Sequence, residues 1–448
     1  MKNFLHSSIK LNSLICTILF VAGSITVHAQ RDCTTTSVGF TPLTTLGTDT
    51  FMGEQGGLYP GGTNVMPSSH TKAGKSIGNA IKPLNAAGEV DFENGVVLFA
   101  GFGASTAGNT FNYLKNTIDT STIGIYNPCL KFITCTIGGK GLETMIPPQH
   151  NWYWTFIGDT IPQSKGYTRD QVQIGWLKTA SKTDSISEFP LQPDSLYAKY
   201  IPSIQRLKEN FPNLKILYIS SHAYGGYAGE FSDNADLAGE PAAYYGGFAV
   251  KWVIEDQIAG SPALKYKGGA TNSPWLSWGP YFWADGLTPR ANDGLTWECE
   301  DYSEYGGGFH LSNQGLQKEM DMLISFFMTN SSSKKWFKNG PTWNSCDPSM
   351  RLASSTDPDY NNFYSDEISI FPTPNNGIFS VAFYNEDGAA KVLKIINNQG
   401  QEVYEKVIDE TKGEVMLEIA LQNIPAGLYH VIIIGSEMHI ERSIIITK

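Results

Sequence analysis

Gly95-Val96-Val97-Leu98-Phe99-Ala100 runs straight into Gly101-Phe102-Gly103-Ala104-Ser105. The first stretch has no polar position, as expected of a strand buried on both faces of a parallel sheet. Glycines then turn the chain, and Thr106 to Ile118 has helical character. Three more runs repeat the theme. Lys131-Phe132-Ile133-Thr134-Cys135-Thr136 leads into Gly138, Gly139 and Gly141, and Val172 to Leu177 and Leu214 to Ile219 follow. Between them, Tyr197 to Asn210 carries helical spacing at Ile201, Ile204 and Leu207. Asn313 to Met328 aligns Leu316, Met320, Leu323, Ile324 and Phe327 on one face, with Ser312 at the N-cap position. Strands alternating with helices predict an α/β fold, a parallel sheet covered on both faces.

The pattern breaks after Phe337. Lys338 to Glu367 is rich in Asn, Ser, Asp and Pro without periodicity and reads as a linker. Beyond it lie short β-rich runs: Ile378 to Phe383, Val392 to Ile396, Val415 to Ile419, Tyr429 to Ile434 and Ile440 to Ile446. Turn signals at Asn375-Asn376-Gly377, Asn397 to Gly400 and Pro425-Ala426-Gly427 separate them. This predicts a small all-β sandwich. The division expected is a leader over 1–29, an α/β domain over 30–337, a linker over 338–367 and a β domain over 368–448.

The leader is read from Lys2 and Lys10, the apolar run Leu11 to Ala22 and the small-residue site Val27-His28-Ala29. The run is too short and interrupted to span a bilayer, which takes roughly 20 residues, so the mature chain is expected to be exported without stable membrane insertion. Five cysteines follow the leader: Cys33, Cys129, Cys135, Cys299 and Cys346. An odd number in an oxidising compartment leaves at least one unpaired. Cys129 and Cys135 are near enough to close a small loop, and Cys33 and Cys346 flank the main body. The 448 residues carry a net charge of −11, which argues against a nucleic-acid partner, since phosphate neutralisation needs clustered Lys and Arg.

The chemistry gathers at two places. Ser105 follows a buried strand at the start of a helix, where free N–H groups favour an oxyanion and where open α/β sheets bind ligands. The same residue also suits a plain helix N-cap. His310, in Gly306-Gly307-Gly308-Phe309-His310-Leu311-Ser312, lies in a glycine loop before the last helix. A Ser and a His on loops at one sheet edge are the elements of nucleophilic acyl transfer.

Here the chain resembles the SGNH (GDSL-like) hydrolase superfamily, and within it a secreted bacterial branch. The likeness rests on Val97 to Ser105, Gln171 to Ala180, Phe211 to Gly229 and Gly247 to Phe337. It implies a flavodoxin-like three-layer α/β domain and serine ester hydrolysis without a cofactor. Ser105 takes the position of the nucleophile, His310 that of the base and Gly141 that of an oxyanion glycine. Three positions depart from the pattern. Ala104 replaces the Asp of Gly-Asp-Ser. Trp176-Leu177-Lys178-Thr179-Ala180 lacks the oxyanion Asn, leaving Lys178 or Thr179 to substitute. Gly307 stands three residues before the His where an Asp is usual, so the orienting acid falls to Glu304 or Asp301, or is absent.

The C-terminal stretches Phe371 to Phe379, Asn397 to Tyr404 and Ile424 to Tyr429 resemble the C-terminal sorting domain of type IX secretion. That likeness implies partnership with the secretion machinery and delivery outside the cell or to the surface of a Gram-negative bacterium. Trp152-Tyr153-Trp154 and Trp275, Trp278, Tyr281 and Trp283 fall in glycine- and proline-rich loops. They suit either stacking on sugars or packing on the body, which makes a glycan ester the substrate expected. A catalytically degenerate carbohydrate-binding or surface protein on the same fold is the alternative. Ser232 to Asp236 and Glu298 to Glu304 are read as solvated loops rather than metal sites, and His150 and His222 have no partner at ligand spacing.

Overall fold

The computed structural model describes residues 31–343 apart from 120, 122–123, 147–150, 183–186, 230–238 and 305–306. It also describes 369–447 apart from 372–374, 376, 386–387, 398, 410–412, 422–423 and 436–438. The leader, most of the linker, His150, Cys346 and Ser232 to Asp236 lie outside the described residues.

The body is built on five parallel strands: β1 (Val97–Gly103), β2 (Leu130–Thr136), β3 (Val172–Lys178), β4 (Ile216–Ile219) and β5 (Trp275–Trp278). Their order is β2-β1-β3-β4-β5. Five helices matter: α1 (Ser68–Asn79), α2 (Ser105–Asp119), α3 (Leu191–Asn210), α4 (Ala242–Ala259) and α5 (Asn313–Thr329). Alternation along β1 sends Phe99 onto Phe111 of α2 and Phe327 of α5, and sends Phe102 the other way onto Phe211 beyond α3. The sheet is thus sandwiched between helices, and all seven residues of β1 and of β3 are buried. Ser312 caps α5, its hydroxyl accepting the Gly315 N–H at 3.4 Å.

β5 and α4 do not stand out in the sequence. α4 is apolar on nearly every face, with Tyr244, Phe248, Val250, Val253 and Ile254 all buried, so it has no polar stripe to reveal its period. β5 is four residues long, and its tryptophans pack inward. Trp275, Trp278 and Trp283 are fully buried, and Tyr281, Tyr153 and Trp154 nearly so. Of the two readings open for these rings, stacking on sugars or packing on the body, the buried ones follow the second. Covering the sheet edge takes large apolar area, and of this set only Trp152, at 48%, is exposed. The core also takes in Trp343, inside the span expected as linker, because Asn339 N–H bonds the Ile125 carbonyl and Trp343 Nε1 the Lys335 carbonyl.

Cys33 is bonded to Cys299, not to Cys346. The loop from Cys129 to Cys135 does not close either: Cys135 is a free thiol buried on β2, and Cys129 pairs with a partner outside the described residues. A strand holds its ends apart, so two cysteines on or beside β2 cannot meet.

The C-terminal region has a separate core. Strands β6 (Ser369–Phe371), β7 (Ile378–Asn385), β8 (Lys391–Asn397), β9 (Glu402–Ile408), β10 (Gly413–Ala420), β11 (Gly427–Ile434) and β12 (His439–Ile446) form two antiparallel sheets, β9-β8-β11-β12 and β10-β7-β6. Phe379, Val381, Leu393, Ile395, Val431 and Ile433 lie in its centre.

Candidate functional site

Gly103 ends β1 with φ +133°, and a Cβ there would stand 2.2 Å from the Lys178 carbonyl oxygen of β3. Only glycine lets β1 and β3 close this tightly before the chain turns into α2. That turn sets Ser105 on the first residue of α2, at the carboxyl end of the sheet where strand order reverses between β1 and β3.

His310 arrives from the far end of the sequence. A bridge between Tyr302 and Leu311 and a bond from the Ser303 N–H to the His310 carbonyl (2.8 Å) pinch the base of its loop. The N-terminal arm holds the other side. Arg31 donates to the Cys299 and Tyr302 carbonyls at 2.8 and 2.6 Å, its N–H reaches the Glu304 carbonyl, and the Cys33–Cys299 bond fixes the arm to the loop. The imidazole Nε2 thereby lies 2.8 Å from the Ser105 Oγ, across 205 residues.

The pair faces a cavity of about 260 Å³ lined also by Lys140, Gly141, Thr179, Lys182 and His222. Among the described residues the Gly141 N–H has no acceptor, and the Ser105 N–H, first in its helix, has none within the helix. Gly141 is confined: a Cβ would stand 2.6 Å from the Ala180 carbonyl oxygen. Both residues line the cavity.

Of the sequence candidates, Ser105, His310, Gly141 and Thr179 share this cavity. Glu304 is exposed and outside its lining, and Asp301 is buried with its Oδ2 accepting from Lys318 Nζ (2.6 Å) and the Glu298 N–H (2.7 Å). Neither is hydrogen-bonded to His310. The stretch Glu298 to Glu304 is thus partly interior rather than a wholly solvated loop. Lys178 is spent elsewhere. Its ammonium, 2% exposed, donates to both Glu319 oxygens at 2.7 and 2.5 Å and to Thr110 Oγ1 at 3.2 Å. Burial pulls the Lys178 pKa down while the Glu319 charge opposes the fall.

His222 was missed because nothing beside it in sequence pairs with it. The end of β4 delivers it to the cavity wall. Its Nε2 is buried without a hydrogen-bond partner, a state that ordinarily costs about 1–3 kcal/mol. Burial first, and the Lys178 charge second, push its pKa down to about 3, so it is neutral at physiological pH. No group of three metal-ligating side chains occurs among the described residues, and no helix among them is long and apolar enough to cross a membrane.

The chain is thus an α/β body followed by an antiparallel β module. Residues 369–447 match the family described as the secretion system C-terminal sorting domain, so this module directs export by type IX secretion to the cell surface or beyond it. No curated protein matches the chain. Among solved structures, a DUF3244 family protein with an immunoglobulin-like β-sandwich from Bacteroides vulgatus is 21% identical, covering 18% of this chain and 85% of its own at a TM-score of 0.15. A protein of Arabidopsis thaliana is 11% identical over 49% of this chain and 67% of its own, at a TM-score of 0.26. The endo-β-1,4-mannanase of Thermotoga petrophila is 13% identical over 66% and 70%, at 0.15. At such TM-scores none of these bears on fold or function.

Proposed function

We propose that the body is an SGNH-like serine hydrolase that deacylates a glycan ester outside the cell. The supporting observation is the 2.8 Å contact between His310 Nε2 and Ser105 Oγ, in a cavity that Gly141 also lines. Ser105 Oγ attacks the ester carbonyl as His310 takes its proton, and the Ser105 and Gly141 N–H groups hold the oxyanion. Collapse expels the alcohol, which receives the proton from His310. Water, deprotonated by His310, then attacks the acyl-enzyme, releases the acid and restores the Ser105 hydroxyl.

The test is labelling by a fluorophosphonate, with the modified peptide mapped by mass spectrometry. Labelling at Ser105 that disappears in Ser105→Ala is the expected result. One observation favours a catalytically degenerate glycan binder instead: Lys178, at the position of the missing Asn, is tied to Glu319 and cannot serve the oxyanion. Absence of labelling in folded protein would favour that reading.

A further inference from the structure

The cavity is rich in donors and poor in acceptors of charge. Lys140 and Lys182 line it, and no Asp or Glu does among the described residues. Neither lysine has a carboxylate partner among them. Glu143 accepts from the Lys182 backbone N–H (2.8 Å) and from Ser181 Oγ (3.1 Å), and Lys199 Nζ stands behind Ser181 at 3.0 Å from its hydroxyl. In the wall, the buried Nε2 of His222 lacks a protein partner. All this occurs in a chain of net charge −11, whose overall field repels anions, so a locally cationic mouth is a departure from the rest of the molecule. Beside it lies Trp152, whose ring centroid is 5.6 Å from Lys140 Nζ. It is half exposed, while Tyr153 and Trp154 are buried. An aromatic face next to a cation suits a sugar ring bearing an acid group.

We infer that the cavity takes an acidic glycan, a uronate-bearing oligosaccharide whose carboxylate sits between Lys140 and Lys182 and whose ring lies on Trp152. The ester part of the substrate rests on the hydrolase reading above; the charge selection does not.

The experiment is calorimetric titration of full-length Ser105→Ala with three probes: tetragalacturonate, the same oligomer with its carboxyls reduced, and methyl succinate. Tetragalacturonate is expected to bind about tenfold tighter than the reduced oligomer, and less so at high salt. Lys140→Gln with Lys182→Gln, both at the rim, should remove the difference at about fivefold or less per lysine, the upper range for exposed ion pairs, with the circular dichroism spectrum unchanged. Equal binding of charged and reduced oligomers, or binding of neither, overturns the inference. Binding of methyl succinate alone moves the charge to the acyl group and overturns the glycan assignment. Fluorophosphonate labelling of the unmodified protein separates the two claims. Charge-selective binding without labelling removes the hydrolase and keeps the acidic glycan, and labelling without charge selection does the reverse.

Discussion

The two β regions of this chain bury their strands in opposite ways. In the body, β1 and β3 are buried from end to end, because helices cover both faces of the sheet. In the C-terminal module, β8 and β11 alternate between buried and accessible positions, as sheets with one wet face do. The difference decides where chemistry can sit. A strand buried throughout offers solvent only its ends, and the body accordingly places Ser105, Gly141, Thr179 and His222 just past the carboxyl ends of β1 to β4. A strand with a wet face can present recognition along its length, which suits a module read by export machinery.

The comparison is tested most severely by the charge buried inside the body. Glu319→Ala leaves Lys178 without its counter-charge and should cost about 4 kcal/mol in urea unfolding. Lys178→Met combined with Glu319→Leu should restore most of that. A loss below about 1 kcal/mol would mean that water reaches the pair and the sheet is less sealed than its burial implies. Next, Cys33→Ser with Cys299→Ser opens a link between residues 266 apart and should cost about 3 kcal/mol, measured as a guanidinium midpoint. Fluorophosphonate labelling of Ser105 should slow with it, since the bond braces the loop of His310.

A smaller effect is expected at Glu240. Burial raises its pKa from 4.5 to about 7, against the pull of the Gly225 and Tyr244 N–H groups and Trp283 Nε1. The folded state holds a proton that the unfolded chain releases above about pH 4.5. This contribution to stability is full below that value and is lost as pH rises through about 7. Stability should fall by on the order of 1–2 kcal/mol between pH 5 and 8, and Glu240→Gln should flatten the slope. Least of all, removing 369–447 should leave the melting of the body within about 0.5 kcal/mol, because the two cores share no residue. Export should be lost with it.

What the sequence disclosed follows the same division. β1 was legible as a run without polar residues, β2 to β4 as largely apolar runs, and α5 as an amphipathic helix whose stripe faces the sheet. The sandwich strands were legible from turns at regular spacing. α4 was hidden because burial all round leaves no stripe. The Lys178–Glu319 pair joins residues 141 apart and leaves no local mark. The odd cysteine count announced a free thiol, but that it is Cys135 follows from β2 keeping it straight and away from Cys129. Ser105 and His310 each stood out through glycines beside them; His222, with serines before it and no special spacing, did not.

The brace under His310 also has a consequence in time. Arg31, Asp32 and Cys33 are made early, and the residues they grip, Tyr227, Cys299, Tyr302 and Glu304, are complete only after most of the body has been made. No partial chain ending before Cys299 can close that brace, and none ending before His310 has the imidazole that meets Ser105. The Ser105–His310 pair therefore comes together only when the first and last parts of the body stand in the same compartment.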